Sequence, residues 1–149
     1  MSSSLIVPAY NEEEVIEDTL DHLTELQPYF DEVYLMDDAS TDSTQERIDN
    51  YLQENDTEVK VAYMRENGDK VGAIAEAAKH VDTDKIVLTD ADTRLATTER
   101  IEDAEEYLDE NDLGALAFKV VPDGSASNMV DSFWNQLQDL DYAMGRAMT

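Results

Sequence analysis

No cysteine occurs among the 149 residues, which excludes disulfide scaffolds and thiolate metal sites. Basic residues are scarce: 10 Lys and Arg stand against 36 Asp and Glu, a formal net charge of -26 at pH 7. A surface of that sign repels nucleic-acid phosphates and anionic lipid headgroups, so nucleic acid is not expected as a partner. No apolar run approaches bilayer-spanning length, and the opening Met1-Ser2-Ser3-Ser4 lacks the basic region of a signal peptide. These absences predict a cytoplasmic, soluble piece, with membrane attachment of a longer parent left open. Repeats, linkers and low-complexity tracts are also missing.

What is present suits one compact α/β domain over residues 1–149, with a sizeable core but no room for a second domain. The acidic residues are spread along every segment rather than gathered in a tail. That distribution predicts a protein adapted to concentrated salt, where screening relieves self-repulsion.

Apolar runs of strand length alternate with helical periodicity. Ser4 to Pro8 reads as a buried first strand stopped by its proline. Asn11 is placed to cap the next helix, with Glu14 at the capping-box position and Ile16, Leu20 and Leu23 on one face. Val33 to Met36 forms a second strand, and Asp42 with Gln45 resembles another capping box. Val59 to Met64 alternates as a third strand, a small-residue helix covers Val71 to Lys79, and Ile86 to Leu88 is a short central strand. Thr97 or Thr98 opens a helix carrying Ile101, Ala104 and Leu108, and Leu113 to Val121 is a fifth strand. A last amphipathic helix, with Val130, Phe133, Trp134, Leu137, Leu140 and Met144 in one stripe, stops at Thr149 without a terminating glycine or proline. Phe133 and Trp134 read as core packing, or as a contact for downstream structure or an acceptor groove. The whole predicts a three-layer α/β/α sandwich on a mainly parallel sheet, incomplete at its C-terminus.

Ligands of such sheets sit beyond the carboxyl ends of the strands, where the unusual polar residues fall: Asn11 and Glu12, Asp37 and Asp38, Asp90 and Asp92. Asp90-Ala91-Asp92 offers two carboxylates to one hard divalent cation, which Mg²⁺ completes with waters and substrate phosphates. The alternative is a solvated loop end. Asp42 and Ser40 are explained by turn and cap chemistry, but two adjacent acids directly after four apolar strand residues are not. Asp38 is suited to accept a hydrogen bond from a nucleobase N–H. Lys70, at a helix start, suits a diphosphate, with a solvated surface lysine as the alternative. Arg94 is a second phosphate candidate, and His22 and His80 are assigned no chemistry.

In their order, Val7-Pro8-Ala9-Tyr10-Asn11-Glu12, Asp37-Asp38-Ala39-Ser40-Thr41-Asp42, Asn67-Gly68-Asp69-Lys70 and Asp90-Ala91-Asp92 closely resemble the motifs of family 2 glycosyltransferases of the GT-A, Rossmann-like fold. Gln136 to Arg146 looks, more loosely, like the following helix of polysaccharide-synthase members. The resemblance implies that Pro8, Ala9, Tyr10 and Glu12 line a nucleoside pocket, with Tyr10 near the base. It implies that Asp38 meets the uracil edge and that Lys70 lies near base or diphosphate. Asp90 would contact the ribose or the metal's surroundings, and Asp92 would ligate Mg²⁺ or Mn²⁺ bridging the diphosphate of a UDP-sugar. The implied reaction is inverting transfer to an acceptor hydroxyl on a glycan, lipid or protein. The family's acidic catalytic base is expected downstream, with none in this chain, and the Gln-x-x-Arg-Trp motif of processive synthases is absent. Asp69, intervening between Gly68 and Lys70, departs from the family spacing.

The chief rival is a non-catalytic nucleotide- or metal-binding module. A phospho-receiver domain needs a lone Asp after the third strand and a Lys after the fifth, where this chain has Met64-Arg65 and Val121-Pro122. A nucleotidyltransferase needs a glycine-rich basic loop near its first strand, which Pro8-Ala9-Tyr10-Asn11 is not.

Overall fold

The computed structural model describes residues 2–95 and 99–117. By compactness the chain divides into a unit of residues 1–105 and a second of residues 106–149. The first unit carries β1 (Ser3–Ala9), α1 (Ile16–Leu26), β2 (Glu32–Asp37), α2 (Thr44–Glu54), β3 (Lys60–Tyr63), α3 (Asp69–Ala78) and β4 (Lys85–Leu88), with a short 3-10 turn at Gln27–Tyr29. It ends within α4 (Glu99–Glu110).

The four strands are parallel in the order β3-β2-β1-β4. Parallel strands covered on both faces need apolar residues at successive positions, as β1 and β2 have. Leu5, Val7, Ala9, Val33 and Leu35 pack on one face with Ile16, Leu20 and Leu23 of α1, Ile48 of α2 and Ile101 of α4. Ile6, Tyr34 and Met36 pack on the other with Ala73 and Ala77 of α3. Each fully buried Leu or Ile contributes about 1.5–3 kcal/mol. The two clusters make the expected three-layer sandwich. Its crossovers from β1 to β2 and β2 to β3 use one face, and the return to β4 uses the other, as right-handed connections require.

Several local expectations are corrected. Pro8 does not stop the first strand, which runs to Ala9 with Pro8 opposite Met36. Ile6 accepts a bond from the Thr89 N–H on the β4 side, and strand alternation turns Pro8 to that same side. The β1–β4 ladder ends there, at Ile6 opposite Leu88, so the proline ring interrupts no further pairing within it. Among the described residues β4, read as a short central strand, stands at the end of the strand order, and most of the strand expected after it lies outside them. Asn11 does not cap α1, which starts at Ile16 and has no side-chain cap. Gln45 does not reach back to Asp42; its amide donates to Asp37 Oδ2. Residues 113–117 of the expected fifth strand carry no strand. The remainder of that strand, Thr97, Thr98 and the final amphipathic helix lie outside the described residues.

In the second unit α4 closes with Leu113 N–H bonded to Leu108 O and with Asp112 left-handed at φ 50°.

Candidate functional site

The strand order reverses direction between β1 and β4, and the site opens beyond the carboxyl ends of the strands there. A cleft of about 260 Å³ is lined by Pro8, Ala9, Tyr10, Glu12, Asp38, Lys70, Asp90, Ala91 and Asp92. Of the residues named from the sequence as nucleotide or metal contacts, Pro8, Ala9, Tyr10, Glu12, Asp38, Lys70, Asp90 and Asp92 line this one cleft. Ala91 joins them. Arg94 does not line it: its guanidinium donates to the Asp18 carbonyl of α1 at 3.0 Å.

The loops after β1 and β2 are zipped together. Asn11 N–H donates to Ser40 Oγ (2.9 Å), Thr41 N–H to Asn11 Oδ1 (2.8 Å), Glu12 N–H to Thr44 Oγ1 (2.9 Å) and Ser43 N–H to Glu13 Oε2 (3.0 Å). Sequence inspection missed these latches, because each joins polar residues about thirty positions apart that look like ordinary loop residues. Asn11 (φ 55°), Ala39 (φ 58°) and Asp69 (φ 58°) are all left-handed without being glycine. Asn and Asp tolerate that conformation better than Ala does. Such backbone is held only where its surroundings determine it, and it gathers at functional sites.

Asp38 is buried and does two things at once. Its Oδ1 accepts from the Gly68 N–H at 2.7 Å, joining the β2 end to the start of α3, while its side chain still lines the cleft. Asp37 is fully buried behind it. Its Oδ2 accepts from Ser40 N–H and Gln45, and its Oδ1 has no partner among the described residues. Lys70 at the start of α3 pairs with Asp90 beyond β4, which spans the cleft with a cation-carboxylate contact. Burial, then the charges of Asp92, Asp42 and Asp90, push the Glu12 carboxyl above its ordinary value.

That crowding is the observation against which a cation is judged. Among the described residues no group of three or more His, Asp or Glu side chains is placed to cage a metal by itself. A Mg²⁺-type ion, however, is commonly held by one or two carboxylates with substrate phosphates and water. Asp92 and Asp90 fit that donor set, and a cation held there would relieve the repulsion that Glu12 feels.

A three-layer parallel α/β sheet with an acidic cleft at its switch point defines a Rossmann-like, GT-A-type fold. The chain belongs to glycosyl transferase family 2, whose family model matches residues 4–139. It is 29% identical over 140 residues to the dolichyl-phosphate beta-glucosyltransferase of Dictyostelium discoideum, covering 87% of this chain and 41% of that protein. The mannosyltransferase PcManGT from Pyrobaculum calidifontis, solved with GDP-Man and Mn²⁺, is 28% identical with a TM-score of 0.58, over 71% of this chain and 32% of that one. S. aureus TarS 1-349, solved with UDP-GlcNAc, is 26% identical with a TM-score of 0.56, over 86% of this chain and 39% of that one. The chain therefore spans less than half the length of these relatives.

Proposed function

We propose that the cleft binds a nucleoside diphosphate sugar, most simply a UDP-sugar, together with Mg²⁺ or Mn²⁺. The single observation that carries this is the meeting of residues from four separate stretches of chain in one cleft at the switch point. The ligands with which the two relatives were solved, GDP-Man with Mn²⁺ and UDP-GlcNAc, support it.

In this assignment Tyr10, half-exposed at the rim beside Pro8 and Ala9, offers a ring face to the base. The Asp38 oxygen not engaged by Gly68 accepts a base N–H, which gives specificity without a cationic partner. Lys70 is the only basic side chain in the lining among the described residues and exchanges its Asp90 contact for the diphosphate. Asp92, with Asp90, holds the divalent ion against that diphosphate. When bound, the ion supplies charge neutralisation to the departing nucleoside diphosphate. Inverting transfer to a glycan, lipid or protein hydroxyl is then the activity of a longer protein, with its base outside this chain. The evenly acidic surface supports a salt-rich cytoplasm as the setting.

Calorimetric titration of UDP in molar KCl, with and without Mn²⁺, tests this. Wild type is expected to bind UDP in a Mn²⁺-dependent manner, and Asp92→Ala to lose roughly ten-fold or more in affinity, about 1.4 kcal/mol. No heat with wild type, or equal affinity in Asp92→Ala, overturns the assignment. GDP in place of UDP decides the base.

A further inference from the structure

The turn that bears the two carboxylates is strapped to α1 by residues that line no part of the cleft. The turn closes on itself through Thr93 N–H to Asp90 O at 3.0 Å. Thr19, buried in the middle of α1, places its hydroxyl 2.7 Å from Ala91 O and 2.9 Å from Val15 O. One residue earlier, Asp18 O accepts from Arg94; one helical turn later, His22 Nε2 accepts from the Leu95 N–H at 3.2 Å. Ala91, between the two acids, is itself buried in the core on the α1 face.

We propose that Thr19, with His22 beside it, is a positioning residue for the Asp90-Ala91-Asp92 turn: its hydroxyl fixes the Ala91 carbonyl and thereby aims the flanking carboxylates into the cleft. The proposal rests on the donor- and cation-binding role assigned to that cleft above. A carbonyl fixes the plane of its peptide, here the one joining Ala91 to Asp92. Rotating that peptide re-aims the Asp92 side chain, and ion coordination tolerates little such error. An intrahelical bond to Val15 explains a threonine in a helix, but it gives no reason for the second contact, 72 residues away. His22 serves as an acceptor only while neutral. Its burial and then the charge of Arg94 favour that form, against the opposing pull of Glu25 on its own helix.

The test uses the full chain in molar KCl, with Thr19→Val, Thr19→Ser and His22→Leu. Amide exchange is read at Thr93 and Leu95, and UDP affinity is measured with and without Mn²⁺. Thr19→Val is expected to speed exchange at both amides while the sheet amides stay protected. It is also expected to weaken Mn²⁺-dependent UDP binding roughly ten-fold, leave Mn²⁺-independent binding unchanged, and be rescued in both respects by Thr19→Ser. A folded Thr19→Val with wild-type exchange and wild-type Mn²⁺-dependent affinity overturns the proposal. Should Thr19→Val fail to fold, His22→Leu, which severs the Leu95 tie and leaves the Thr19 contact in place, must show the same pattern or the proposal falls. Wild type that binds no UDP with Mn²⁺ refutes the cleft's assigned role instead, and the exchange data then still report whether Thr19 orders the turn.

Discussion

Glu12 shows how the cleft stores unfavourable charge. Its carboxyl is pushed above its ordinary value by burial first, and then by Asp92, Asp42 and Asp90. With the folded-state value raised above 4.5, the native protein holds more protons than the unfolded chain between 4.5 and the raised value. The group's favourable contribution is thus present below that window and is lost as pH rises through it, so at neutral pH its charge opposes folding. Glu12→Gln is expected to raise the melting temperature at pH 7 by a few degrees. The gain should vanish near pH 4, and scanning calorimetry at the two pH values checks both halves. Added Mn²⁺ should raise the melting temperature of wild type more than that of the variant, because the ion relieves a repulsion the variant no longer has. Equal stability of the two proteins at pH 7 contradicts this account.

At the scale of elements, β1 and β2 were easy to read because they are buried on both faces and therefore apolar at successive positions. Asp38 could be singled out for the cleft lining for the converse reason: a carboxylate directly after a buried strand needs an explanation. The start of α1 was not legible. Asn11 has the right chemistry for a cap, yet its side chain accepts from Thr41 across the rim, and α1 begins without a side-chain cap. Short polar side chains choose among competing backbone donors, and here the partner was distant in sequence. Thr19 was invisible because a buried threonine on an apolar helix face looks like filler, and His22 because its partner is a backbone N–H. Titration of His22 makes that strap observable. Its folded-state value lies below 6.5, so the unfolded chain binds the extra proton first as pH falls. Stability is therefore expected to fall on acidification below about 6.5, the ordinary histidine value, and on down through the folded-state value. Over the same interval the Leu95 amide resonance should move as its acceptor is lost. His22→Leu should remove that titration from the Leu95 resonance, and a Leu95 shift that titrates identically without the imidazole excludes His22 as its origin.

For the whole molecule the governing quantity is the net charge of -26. Exposed ion pairs such as Arg47–Glu17 and Lys79–Glu76 offset little of it, since pairs of this kind contribute about 0–1 kcal/mol. Repulsion among the remaining acids acts over a screening length of about 10 Å at 0.1 M salt and about 3 Å at 1 M. The melting temperature is therefore expected to rise by on the order of 10 °C between 0.1 M and 2 M KCl, with NaCl equivalent, because screening does not distinguish the two cations. α4 localises part of this effect. Glu102, Glu106 and Glu110 are exposed and recur at four-residue spacing, a ladder of like charges that destabilises its own helix. Replacing all three by glutamine keeps helix propensity nearly unchanged and takes the net charge from -26 to -23. If dispersed repulsion sets the salt requirement, the variant melts higher than wild type at 0.1 M KCl, converges with it at 2 M, and binds UDP with wild-type affinity at both. If instead the two proteins differ by the same amount at every salt concentration, the requirement arises from specific ion binding and not from screening of the surface.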